Sequence, residues 1–60
     1  MTITKAQRKA IKKIYDRRDP STAHLSYRTF RKNVVHGYDC LMVQWAGMWL
    51  GIESDGYTHS

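Results

Sequence analysis

An α+β domain, with two short helices packed on a small antiparallel β-hairpin in the order ααββ, is what three features of this 60-residue sequence predict. A helical apolar period runs through the first third and returns after Ser26. A two-residue alternation takes over on both sides of Ala46-Gly47. Asp19-Pro20 and Gly37 fall between these segments, where the chain must turn. The length fits a single domain, residues 1–60.

The first segment, Thr4 to about Arg18, reads as an amphipathic helix. Thr4 followed by Gln7 makes a T-x-x-Q capping box. At about 100° per residue, Ile3, Ala6, Ala10, Ile11, Ile14 and Tyr15 share one arc, and Lys5, Arg8, Lys9, Lys12 and Lys13 share the opposite one. Arg17 and Arg18 rotate back toward the apolar side, either to snorkel over the core or to mark a fraying end. Pro20 disfavours the helical region for Asp19 and stops the helix there.

Pro20 to Leu25 is a polar connection. Ser26 then serves as N-cap for a second helix, about Tyr27 to Val35, with Tyr27, Phe30 and Val34 on its apolar stripe and Gly37 as its stop. A strand is the competing reading, because Tyr, Thr, Phe and Val all favour sheets. The spacing of three and four selects the helix.

Pairing Cys40–Trp45 with Met48–Glu53 around Ala46-Gly47 sorts the faces of the hairpin. Leu41, Val43, Trp45, Met48, Leu50 and Ile52 fall on one side; Cys40, Met42, Gln44, Trp49, Gly51 and Glu53 fall on the other. The connection is either a two-residue turn or a three-residue loop with Gly47 left-handed. Asp55-Gly56 is a second turn signal, after which Tyr57 to Ser60 can return along the sheet edge.

A domain this small buries only about 60% of its unfolded surface. Cys40 is the only cysteine, which leaves no internal disulfide and no Cys-rich zinc framework. A tightly packed monomer and a homodimer are the two remaining ways to stabilise it. A lone thiol suits a reducing compartment. The first residues lack the apolar core of a signal peptide, and the Cys40–Ile52 run is interrupted by Gln44 and too short to cross a bilayer. A soluble cytoplasmic protein with no membrane partner is therefore expected.

Charge supplies the functional signal. All ten Lys and Arg residues precede Asn33 and meet only Asp16 and Asp19 there, a balance of +8; the remainder carries Asp39, Glu53 and Asp55 and no cation, a balance of −3. Such a split suits a binder whose cationic half meets a polyanion. Lys5, Arg8, Lys9, Lys12 and Lys13 on the first helix, with Arg28, Arg31 and Lys32 on the second, form the candidate phosphate-binding set. Lys outnumbers Arg on the first helix, which favours point-charge contact over base reading. A basic face that merely solvates a helix is the competing explanation.

A helix-turn-helix would need a third helix to brace the pair, and the connector contains Pro20 and no glycine. Aromatics interleave with cations in Tyr27-Arg28-Thr29-Phe30-Arg31-Lys32, a pattern compatible with base stacking; Phe30 fits the core better, and Tyr27 fits either role. Trp49 and Met42 make a candidate protein interface on the second hairpin face, unless the second helix or a Tyr57 contact covers them. His36, Asp39, Cys40 and His59 have ligand chemistry without the spacing of a compact metal site. A Cys40–His36 nucleophile–base pair would have neither an orienting group nor an oxyanion hole. No glycine pattern forms a phosphate loop, so no cofactor and no catalysis are expected.

The run Trp45-Ala46-Gly47-Met48-Trp49-Leu50-Gly51-Ile52-Glu53-Ser54-Asp55-Gly56-Tyr57-Thr58-His59-Ser60, together with Leu25-Ser26-Tyr27-Arg28-x-Phe30-Arg31, resembles short proteins of tailed bacteriophages that have no assigned activity. The resemblance covers about the last 36 residues. It transfers no site residues. It implies a context: a small accessory protein inside an infected bacterium, where binding nucleic acid, binding a host protein and assisting assembly are common tasks. The leading expectation is non-specific nucleic-acid binding; the alternative is an inhibitor or adaptor that docks on an acidic host protein.

Overall fold

In the computed structural model, which describes residues 3–17 and 19–60, two helices pack on a four-stranded antiparallel sheet. The elements follow one another as α1 (Lys5–Asp16), α2 (Tyr27–Lys32), β1 (Val35–His36), β2 (Leu41–Trp45), β3 (Met48–Ile52) and β4 (Thr58–His59), and the sheet is a meander in chain order. The α+β class and the placing of helices on a sheet are as the sequence predicts. Arg18, expected to end the first helix, lies outside the described residues.

The capping box at the start of α1 does two jobs. Thr4 Oγ1 accepts the Gln7 N–H at 3.1 Å, and Gln7 Oε1 accepts the Thr4 N–H at 2.9 Å, which satisfies two of the donors that every helix start leaves open. Thr4 Oγ1 also donates to the Ser54 carbonyl at 2.7 Å, and Gln7 Nε2 donates to the Ile52 carbonyl at 3.1 Å. Gln7 is thereby buried with its polar atoms satisfied, and the box ties α1 to the end of β3.

The second helix ends earlier than expected. It closes at Lys32 with Asn33 as C-cap, and Val35 pairs with Met42 in β1 instead of extending α2. The β-branched Val34-Val35 pair favours an extended backbone, and a ladder was available beside β2. The strand alternative was therefore right for the last residue of that segment, Val35. The Gly37 N–H donates to the Cys40 carbonyl at 2.8 Å, closing the loop into β2.

The hairpin has the predicted register: Leu41 faces Ile52, Val43 faces Leu50 and Trp45 faces Met48. Ala46 (φ 54°) and Gly47 (φ 77°) both take positive φ, the signature of the two-residue type I′ turn. An alanine in that position costs energy, and the connector compensates: the Ala46 N–H donates to the Asp19 carboxylate at 3.0 Å. The same carboxylate accepts from the Ser21 hydroxyl and from the Ser21 N–H. β4 pairs with Gly51 and Ile52, the edge return anticipated for the last residues.

Leu41, Val43, Leu50 and Ile52 from the sheet meet Ala10, Ile11, Ile14 and Tyr15 from α1 and Phe30 from α2, and these form the core. Tyr15 packs on Phe30 and edge-on to Tyr27, with ring centroids 5.4 and 5.3 Å apart, while its hydroxyl donates to the Leu25 carbonyl at 2.8 Å. Met48, assigned to the inward face, is 46% exposed, because it sits at the hairpin end beyond the reach of the core.

Candidate nucleic-acid interface

Lys5, Arg8, Lys9, Lys12 and Lys13 are all exposed on α1. Among the described residues, the only Lys or Arg in an ion pair is Lys12, whose Nζ lies 2.7 Å from Asp16 Oδ1. Both partners are more than half exposed, so the pair adds little to stability. Lys12 Nζ also lies 5.5 Å from the Tyr27 ring centroid, bringing this flank of α1 against α2. Arg28, Arg31 and Lys32 are exposed on α2 and, with Tyr27, line a shallow concavity of about 340 Å³. The half-buried Tyr27 is engaged by Tyr15, and Phe30 is in the core.

The helical period divides the α1 cations between two flanks. Arg8 and Lys12 lean toward the Tyr15 side, while Lys9, Lys13 and Arg17, spaced four apart, run along the other. Beside that second row lies a groove of about 640 Å³ floored by Ala10, Ile14 and Leu50 and walled by Trp45 and Met48. Arg17 Cζ stands 5.9 Å from the Trp45 ring centroid, so Arg17 does rotate back over an apolar side chain. The Trp45 indole Nε1 is sealed from solvent and has no acceptor among the described residues. Gln7 meets Ile52 near one end of α1 and Arg17 meets Trp45 at the other, so α1 runs antiparallel to β3 along the groove. Asp55 is the one Asp or Glu side chain that lines the groove among the described residues.

Sequence reasoning left Arg17 and Trp45 out of the candidate set. The signal was present in the 9, 13, 17 spacing, but only the packing of α1 along β3 shows that this row overlooks a groove.

Both helices contribute to the core on one face of the sheet, so neither covers Trp49, which is 48% exposed. Tyr57 does not pack on it either; its ring stacks on His59 at 5.9 Å. Met42 is half-buried, with its Sδ 3.7 Å from Cys40 Sγ. His36 stands opposite Leu41 and therefore on the helix side, while Cys40 lies with Met42 on the other, which separates the two members of the supposed nucleophile pair. The side chain near Cys40 is His59: a Cβ built on Gly51 would sit 2.8 Å from the His59 ring and 3.4 Å from Cys40 Sγ. Burial, followed by the Asp39 and Glu53 charges, pushes the Cys40 thiol up, so it stays protonated and weakly nucleophilic near neutral pH. His59 Nε2 lies 3.4 Å from Glu53 Oε2. Among the described residues, no three His, Cys, Asp or Glu side chains come together in a metal-binding group, and no helix is long and apolar enough to cross a membrane.

The +8 and −3 parts of the sequence thus occupy different layers. Among the described residues, the two helices and the C-cap of α1 carry the cations, and the sheet with its loops carries Asp39, Glu53 and Asp55. Comparison with known proteins gives no matching family model, no similar curated protein and no similar solved structure.

Proposed function

We propose that this protein binds nucleic acid without strong sequence preference, through the exposed cations of its helical layer, and that it catalyses no reaction. The observation that carries this reading is the set of eight exposed cations, Lys5, Arg8, Lys9, Lys12, Lys13, Arg28, Arg31 and Lys32, of which only Lys12 is in an ion pair among the described residues. Unpaired surface cations keep their charge available for phosphates, and each phosphate neutralised releases counterions. The resemblance of the later residues to short tailed-phage proteins supports the cytoplasm of an infected bacterium as the setting for this activity.

The test is anisotropy of labelled DNA and RNA at several salt concentrations. The logarithm of affinity should fall linearly with the logarithm of salt, with a slope of about −0.9 per phosphate contacted on duplex DNA. Changing Lys9, Lys12 and Lys13 together to Glu should abolish binding while the circular dichroism spectrum is retained. No binding at low salt would refute the reading.

A second reading rests on the half-exposed Trp49 beside Met42, on the face away from the helices. That patch suits a protein partner, either an acidic host protein also held by the cations or a second copy of this chain. Under this reading Trp49→Ala should weaken association more than any single Lys change, because rim charges act mainly on association rate.

A further inference from the structure

The groove between α1 and β3 adds a distinction that the basic face alone does not make. We infer that it is a channel for one unpaired strand of nucleic acid, with the backbone on Lys9, Lys13 and Arg17 and a base against Trp45. The inference rests on the nucleic-acid reading above and specifies the form of the ligand.

Three observations combine. Lys9, Lys13 and Arg17 follow one another at four-residue steps, about 6 Å each along the axis, so they form an inclined cationic row along one rim. The rest of the lining combines the apolar Trp45, Met48 and Leu50 with the polar Asp55, Thr58, His59 and Ser60. The volume, about 640 Å³, is that of a site for an organic ligand and far larger than a bare ion needs. A charged rail beside an aromatic platform is the arrangement that holds single strands irrespective of sequence, since every base has a stacking face. Arg17 already lies over the Trp45 ring, and its planar guanidinium can stack with a base as well as contact a phosphate.

Duplex DNA cannot use this groove in the same way. Its bases are paired inside a convex cylinder, so it can touch Lys5, Arg8 and Lys12 on the outer side of α1 but cannot bring a base to Trp45. Asp55, which also lines the groove, repels phosphate.

The experiment compares a labelled ten-nucleotide oligothymidylate with a labelled hairpin duplex at low and moderate salt, using the whole chain. Two double variants of equal charge are measured, Lys13→Gln with Arg17→Gln in the groove and Lys5→Gln with Arg8→Gln outside it. We expect the groove pair to weaken oligothymidylate at least tenfold and the outer pair less than threefold, with duplex affinity showing no such preference. In a Trp49→Phe variant, which reports Trp45 alone and leaves the groove intact, oligothymidylate should quench the emission and the duplex should not. Equal binding of both forms, equal loss from both variant pairs, or unchanged Trp45 emission would overturn the channel while leaving basic-face binding standing. No binding of either form would overturn both. Competition by an oligoglutamate as effective as that by unlabelled oligothymidylate would overturn the nucleic-acid assignment and make the groove a site for acidic peptide.

Discussion

The two faces of the sheet are built from the same strands and have opposite fates. Leu41, Val43, Leu50 and Ile52 are buried beneath both helices, whereas Met42, Gln44 and Trp49, their immediate neighbours in sequence, look away from them. Alternation fixes which residues share a face, and the number of helices fixes how many faces can be covered. Two short helices cover one. The difference teaches that the apolar residues of the sheet are not equivalent: Leu41, Val43, Leu50 and Ile52 belong to the core that holds the fold, and Trp49 is available for something else.

The largest effect should come from breaking the covered face. Ile52→Ala should cost about 2–5 kcal/mol, which for a chain of this size approaches the whole stability of about 3–9 kcal/mol. Urea unfolding followed by far-ultraviolet circular dichroism would measure it, and a cost under 1 kcal/mol would mean that the core is misassigned.

A smaller contrast separates the two ends of β3. Gly56 (φ 91°) lies against α1, where an added Cβ would approach the Ala6 carbonyl oxygen to 3.0 Å; Gly47 (φ 77°) has open space around it. Gly56→Ala combines backbone strain with overpacking, about 2–4 kcal/mol, whereas Gly47→Ala carries strain alone, about 1–2 kcal/mol. Thermal melts of the two variants should keep that order.

Next comes the contact that holds the hairpin turn to the connector. The Ser21 hydroxyl, with the Ala46 and Ser21 N–H groups, holds the Asp19 carboxyl below its ordinary value against the opposing effect of burial. The stability that it contributes is therefore complete above the ordinary aspartate pKa of about 3.9 and is lost as pH falls through the lower folded value. Asp19→Asn should lower stability at pH 7 and flatten this part of the acid transition in melts recorded from pH 2 to 6. A variant that melts like the parent at every pH would remove Asp19 from the account of the turn.

The smallest effect is expected on the open face. Trp49→Ala should change monomer stability by about 1 kcal/mol or less, and the melting temperature should not depend on protein concentration. A large cost that grows with concentration would show that a second copy covers this face.

Much of this architecture was legible in the sequence. The capping box, the apolar arc of α1 and the hairpin register all follow from local periodicity, and each is found as read. The boundary of α2 was missed because Val34 and Val35 suit either state until a partner strand is in view. Asp19 was read only as the residue before a proline; its bond to the Ala46 N–H joins positions 27 apart, which no window of sequence displays. Arg17 and Trp45 escaped for the same reason. The eight candidate cations were legible because exposure of a charged helix face needs no tertiary information, whereas a groove exists only between two elements.

The bonds from Thr4 and Gln7 to Ser54 and Ile52 also bear on the timing of synthesis. Gln7 must wait for Ile52, which is made 45 residues later, a delay of roughly 2–9 s at about 5–20 residues per second. A helix of 12 residues is marginal by itself, so through that interval the cationic segment has no β3 to settle on. The cationic segment is therefore made ahead of the strand it packs on, and α1 gains its fixed place only once Ile52 has followed.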